Sequence, residues 1–255
     1  MALALLAAGV CAVAGGRAWA VDAGDDVAQA FSFGGACVGC ELSGRKMPEA
    51  RFMGANFSGA TLVGSDLHGA WFFGANFSRA NLARADLHGA SLFGSDFAGV
   101  DLSDANLSGV RGHGASLAGA TLTRANFTGA NMIGADLSRV SARGALFAGA
   151  ALMGVELDQG RFEGASFRGA SLVGADLGGG AFPGADFTGA NLARASLAGA
   201  DLASAKGLTQ TQIDLACSTP LTRLPAGLLG RSCRTGPSVV ILRATHPTPP
   251  GSPAP

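Results

Sequence analysis

His68 and His88 lie 20 residues apart. Two imidazoles can share a metal ion if the fold sets one above the other, and a stable site then needs a third ligand. At the same 20-residue spacing stand Pro48, which cannot ligate, and Ser108, a poor ligand. Cys37-Val38-Gly39-Cys40 is a C-x-x-C motif. Redox use of that motif needs a thioredoxin-like βαβ setting, and zinc needs a second such pair; the sequence supplies neither. Two small buried residues, or a local disulfide, are the readings that remain. Cys217 and Cys233 would close a loop of about 15 residues if bridged, worth on the order of 3 kcal/mol in the chain-entropy model. Asp66, Asp86, Asp136 and Asp176 recur at one regular polar position and read as solvated surface. Asn56-Phe57-Ser58 and Asn76-Phe77-Ser78 match the glycosylation sequon, but the local pattern generates such matches automatically. No nucleophile–base pair or carboxylate dyad emerges, so no enzyme, no cofactor and no metal site is expected.

Composition narrows the function classes further. The 255 residues carry 18 basic and 18 acidic side chains, a net charge of zero, and 48% are hydrophobic. Nothing here is a basic footprint for nucleic acid, nor the strong acidity of a DNA mimic. Residues 1–20 read as a signal peptide: an apolar run from Ala2 to Ala14, then the Ala18-Trp19-Ala20 cleavage signature. The run is too short to span the ~30 Å core of a bilayer. Arg17 follows the apolar run, where a signal peptide would carry its basic residue in front. Cleavage after Ala20 would deliver a periplasmic or secreted protein with no membrane insertion. If the segment does not function, the chain stays cytoplasmic. In an oxidising compartment the four remaining cysteines suit disulfides.

The elements that must position these side chains follow from a period of five. Residues 40–204 form 33 units with no insertion or deletion, as in Ala50-Arg51-Phe52-Met53-Gly54 and Ala55-Asn56-Phe57-Ser58-Gly59. The central Leu or Phe of each unit is its centre. An α-helix fails this pattern, because five residues turn about 140° net and the centres would spiral round every face. A flat strand fails as well, since an odd period sends successive centres to opposite faces. A chain that bends once per unit succeeds: each centre, and the small residue two before it, then points inward. Glycine at the fifth place suits the bend.

Units such as Ala80-Asn81-Leu82-Ala83-Arg84 and Ala85-Asp86-Leu87-His88-Gly89 resemble those of the pentapeptide-repeat proteins. Cys37 to Gly44 resembles that family's N-terminal motif, and Lys206-Gly207-Leu208-Thr209-Gln210 through Leu228 its C-terminal one. The resemblance implies an all-β fold, a right-handed quadrilateral parallel β-helix with four units per coil and short helical caps. Eight coils at ~4.8 Å would make a rod about 40 Å long. The expected organisation is a signal peptide (1–20), an N-terminal cap (21–39), the β-helix (40–204), a C-terminal cap (205–235) and a largely disordered tail (236–255). Thr209-x-x-Gln212 is a capping box opening a short helix through Ala216. A brief helix over 26–31 and a strand over Val239-Val240-Ile241-Leu242 are also expected. At Gly112 and Ala142 the centre is nearly empty, and Val110 and Val140, two residues before, suggest exchange of volume within the coil.

Four units per coil make every twentieth residue a neighbour. The row after the centre then reads Met53, Phe73, Phe93, His113, Ile133, Met153, Val173, Ala193, while the other three rows are small or polar apart from Val63. With Trp71 beside it, this is an apolar stripe some 35 Å long at ~4.8 Å per coil. It reads as a surface for an unknown protein partner or for a homodimer, as a face covered by the chain's own C-terminal segment, or as inert side-chain ladders. A membrane-facing role lacks flanking basic residues. The function expected is a non-enzymatic, exported scaffold working through this face. The alternatives are the family's topoisomerase-blocking DNA mimicry, which neutral charge and a signal peptide oppose, and a weak metal or redox role.

Overall fold

The computed structural model describes residues 35–232 and 241–242. Parallel bridges link each residue before a centre to the one 20 positions later, from Ala36↔Asn56 to Asp186↔Lys206. That single register sets four units to a coil and stacks the coils into a rod. One unit shows how its amides are used. Asn56 N–H donates down to Gly35, Phe57 and Gly59 donate up to Asn76 and Ser78, and Ala60 donates back to Phe57 across the bend. Only the N–H of the residue after the centre, here Ser58, has no backbone acceptor, although its carbonyl accepts from Gly39. The bend is a type II turn, whose third residue requires φ > 0. Gly59 takes φ 65° there, and where glycine is replaced the same conformation persists, as in Arg84 (58°) and Arg139 (56°).

Both inward positions of every coil are buried, apart from Arg45, which is half-buried. Phenylalanines stack at the coil spacing: Phe57, Phe77 and Phe97 at 4.9 and 4.8 Å, Phe147 and Phe167 at 5.0 Å. Edge-on contacts such as Phe72–Phe77 (4.9 Å, 90°) join neighbouring stacks, a favoured arrangement for aromatic pairs. The vacancy at Gly112 is filled differently from the sequence expectation. A Cβ on Gly112 would collide with the sulfur and methyl of Met132, one coil above, and Val110 is not among its nearest neighbours. An unbranched, flexible Met can bend into such a gap, which a branched residue within the coil cannot reach. Within a unit, the exchange runs the other way: glycines at 160 and 180 leave room for the Phe162 and Phe182 rings, which a Cβ there would strike.

At the C-terminal end the register stretches, with Ser196↔Cys217 and Asp201↔Arg223. Helix α1 (Gln210–Leu215) occupies the extra length and starts at the expected capping box, Thr209 with Gln212. The Gln212 amide also donates to Phe187 and Ala190, seating the helix on the last coil. Strand β1 (Gly230–Arg231) pairs antiparallel with β2 (Ile241–Leu242), the latter half of the strand expected from sequence. At the other end, Cys37 and Cys40 form a disulfide with Cα atoms 5.3 Å apart, and both residues are buried at the base of the core. Cys217 is also disulfide-bonded. Residues 1–20, the helix expected over 26–31, Cys233 and, apart from β2, the tail over 236–255 lie outside the described residues.

Candidate protein-interaction face

The four sides of the rod are named by their centres: face 1 from Phe52 to Leu192, face 2 from Phe57 to Leu197, face 3 from Leu42 to Leu202, face 4 from Met47 to Phe187. On faces 2 to 4 an Asp or Asn before the centre has a structural task. Its side chain accepts a hydrogen bond from the amide after the centre, the one amide the ladder leaves over. Asn56 does this for Ser58 (3.0 Å), Asp101 for Ser103 (2.9 Å) and Asp136 for Ser138 (2.8 Å). The regular Asp and Asn residues are therefore turn-closing acceptors, a more specific role than the solvated surface that spacing alone suggests.

Face 1 abandons this arrangement. Its corresponding row is Arg51, Trp71, Ser91, Arg111, Asn131, Ala151, Ser171 and Asn191. Among them only Asn191 makes the bond, to Ala193, and the buried Asn131 carboxamide oxygen has no partner. The row after the centre carries the apolar stripe. Met53 (50%), Phe73 (59%) and Met153 (43%) are exposed, as is Trp71 at 47%. Phe93, Ile133 and Val173 are half-buried in the row. Phe93 stacks on His113 at 5.0 Å, with ring planes 5° apart. The stripe thus projects most strongly in the first two coils and again at Met153. Spacing alone draws it as uniform.

Two arginines that the sequence reading passed over belong to this face. Arg51 and Arg111 place their guanidinium carbons 6.0 and 5.8 Å from the centre of the Trp71 indole. Arg111 reaches across two coils because the residue between, Ser91, is small and buried, and its hydroxyl accepts from Arg111 Nε at 3.0 Å. Such contacts are worth about 0.5–1 kcal/mol at exposed sites. The signal was legible in the sequence: counting in twenties from Arg51 gives Trp71, Ser91 and Arg111. Cationic flanks are present after all.

The other candidates resolve differently. His68 and His88 do stack, with ring centroids 5.3 Å apart and planes 17° apart. Lone pairs on near-parallel rings run side by side, so one ion cannot sit ~2.0–2.1 Å from both. Each His instead turns toward the carboxylate two residues before it: His68 Nδ1 meets Asp66 Oδ1 at 2.6 Å. That hydrogen bond raises the His68 pKa above the ordinary 6.5, with Asp66, Asp86 and Glu49 adding attraction. Among the described residues no three His, Cys, Asp or Glu are grouped to hold a metal. None of the described helices is long and apolar enough to cross a membrane.

Comparison with known proteins agrees with this architecture. The family model for pentapeptide repeats matches in eight copies, over residues 37–70, 72–109, 113–141, 130–169, 145–180 and 170–206. Among solved structures, the chain is similar to HetL, a pentapeptide repeat protein involved in heterocyst differentiation regulation in the cyanobacterium Nostoc sp. strain PCC 7120. Identity is 32%, covering 67% of this chain and 77% of HetL, with a TM-score of 0.53. A pentapeptide repeat protein of the Arabidopsis thaliana thylakoid lumen is 32% identical over 48% of this chain and 71% of its own, with a TM-score of 0.34. QnrB1, a plasmid-mediated fluoroquinolone resistance protein, is 24% identical over 75% of this chain and 90% of its own, with a TM-score of 0.40. Among curated proteins, none matches the chain. The 20-residue ladder, the paired inward positions and the family match lead to one assignment: the chain belongs to the pentapeptide repeat family and folds as a right-handed quadrilateral β-helix.

Proposed function

We propose that this protein is a non-enzymatic, exported scaffold that holds face 1 against a protein partner. The observation that carries the reading is the exposure of Met53, Trp71, Phe73 and Met153 along one side of a rod whose repeat elsewhere places small or polar residues outside apart from Val38, Val63 and Leu146. Aromatic residues, Met and Arg are the types enriched at protein interfaces, and face 1 concentrates all three. The rod supplies rigidity, so side chains on it are ordered before binding and little entropy is lost on contact. Export is supported by the apolar run and Ala18-Trp19-Ala20, and by a chain whose Cys37, Cys40 and Cys217 are all disulfide-bonded. DNA mimicry fits poorly, since the chain is neutral and face 1 is basic.

The test is a pull-down from the envelope fraction with the wild type and with Phe73→Asp/Phe93→Asp. Both sites lie outside the core, so the fold should survive while partner recovery drops at least tenfold. Unchanged recovery and unchanged oligomeric state would sink the proposal. Export is checked by sequencing the amino terminus of the envelope protein: it should begin at Val21, and a chain retaining Met1 in the cytoplasm would refute that part.

A further inference from the structure

Face 1 contains no carboxylate along its eight coils, yet it carries Arg51, Arg111 and Arg194. On the other faces some arginines meet acids, as in Arg124–Asp104 (2.6 Å), Arg168–Asp186 (2.9 Å) and Arg143–Glu163 (3.7 Å), while Arg79, Arg84, Arg139 and Arg161 join no ion pair among the described residues. Neither Arg51 nor Arg111 joins an ion pair among the described residues. Instead both converge on one indole. Two like charges gathered over a single ring repel each other, and the ring only partly offsets this. Arg111 is held there by Ser91, so this guanidinium is positioned before any partner arrives. A guanidinium lying on an aromatic face keeps N–H edges free for a carboxylate, which it can bind through two parallel hydrogen bonds. Directly alongside, Met53, Phe73 and Phe93 offer apolar surface.

Resting on the reading of face 1 as an interaction surface, we propose that its partner is a protein segment combining carboxylates with aliphatic or aromatic side chains. The carboxylates pair with Arg51 and Arg111 over Trp71, and the apolar groups pack on Met53, Phe73 and Phe93. A second copy of this chain does not meet that requirement. A two-fold contact through face 1 would set the same basic, acid-free surface against itself, and like charges across an interface are unfavourable.

Trp19 and Trp71 are the only tryptophans, and cleavage after Ala20 removes Trp19, so in the exported protein Trp71 reports on its own site, and Trp19→Phe achieves the same in an uncleaved chain. The probes are two 20-residue amphipathic peptides with the same leucine stripe, one flanked by glutamates and one by lysines. The glutamate peptide should shift Trp71 emission saturably and bind at least tenfold more tightly than the lysine peptide, and 0.5 M salt should erase most of that difference. Arg51→Glu/Arg111→Glu should reverse the preference, Arg51→Gln/Arg111→Gln should abolish it, and Arg143→Glu on face 3 should leave it intact. Thermal melts establish that each variant is folded. Equal binding of the two peptides, or an unchanged preference in the folded Glu or Gln variants, overturns the proposal. So does a response of Trp71 to phosphatidylglycerol vesicles but not to the glutamate peptide, which would assign the face to anionic lipid. A concentration-dependent dimer in sedimentation that the Arg variants strengthen would assign it to a second copy. If the Phe73/Phe93 pair abolishes partner recovery while the peptides are not discriminated by charge, the interaction face stands and only its acidic partner falls.

Discussion

Face 1 and face 4 are built on one backbone and use it oppositely. On face 4, Asp66, Asp86, Asn106, Asn126 and Asp186 each close the turn that follows, accepting from the amide the ladder leaves over. On face 1 the same position holds Arg51, Trp71 and Arg111, and that amide receives no side-chain acceptor until Asn191. The difference separates residues that hold the rod from residues the rod holds out. A hydrogen bond of this kind contributes roughly 1 kcal/mol net. Face 1 forgoes it from Arg51 through Ser171, a longer run than the four coils from Thr121 to Ala181 on face 3, and departures from the local rule concentrate at functional sites.

The comparison breaks most visibly when one phenylalanine from each class is removed. Phe147 is fully buried and sandwiched between Phe127 and Phe167. Its replacement by alanine should lower unfolding free energy by about 3–5 kcal/mol. Phe73→Ala, on the outside of face 1, should change stability by no more than about 0.5 kcal/mol while weakening partner binding. Denaturant melts read the first quantity and the pull-down reads the second. Similar destabilisation by both would mean that face 1 is structural after all. Gly112→Ala comes next: its methyl meets the Met132 sulfur, and overpacking should cost about 1–3 kcal/mol. If Val110 were the residue compensating for Gly112, that substitution would be nearly neutral.

A smaller effect sharpens the contrast between faces. Asp136→Ala removes the acceptor for the Ser138 amide and should cost about 1 kcal/mol. Ala151→Asn installs the missing acceptor on face 1, opposite the Met153 amide, and should gain about 0.5–1 kcal/mol without disturbing the coil. A loss at position 151 would show that the backbone of face 1 cannot adopt the turn-closing geometry.

The rod was legible in the sequence because its cause is local. A period of five with an apolar centre excludes helix and flat sheet, and the small residue two before the centre marks the second inward position. The Thr209–Gln212 capping box was equally readable, since capping depends on side chains three residues apart. Gly112 was misread because its void is filled from Met132 in the next coil, and a vertical contact is invisible to a search within one unit. The turn-closing role of Asp and Asn was hidden because their spacing is also that of plain surface; only the count of backbone amides reveals an amide in need. Arg51 and Arg111 escaped notice because they sit in the row before the centre, while the apolar stripe drew attention to the row after it.

Titration gives the subtlest contrast, since face 4 carries acids and face 1 none. Hydrogen bonds from the Thr188 hydroxyl and amide, then from Arg168, lower the Asp186 pKa from 3.8 to about 2. A depressed carboxylate adds stability above its unfolded pKa, and that contribution disappears as pH falls from 3.8 through about 2. His68 works in the opposite sense. Its pKa is raised, chiefly by the hydrogen bond its ring donates to Asp66. Its contribution is therefore complete below 6.5 and is lost as pH rises through the higher folded value. Asp66 is subject to desolvation that would raise its pKa, but the His68 ring and amide together outweigh this and lower it. NMR titration should place the His68 midpoint above 6.5, and Asp66→Asn should return it toward that value, because an amide oxygen accepts the hydrogen bond but carries no charge. A His68 midpoint unmoved by Asp66→Asn would show that the shift comes from the wider acidity of face 4, from Asp86 and Glu49, and that His68 is not governed by its own turn-closing carboxylate.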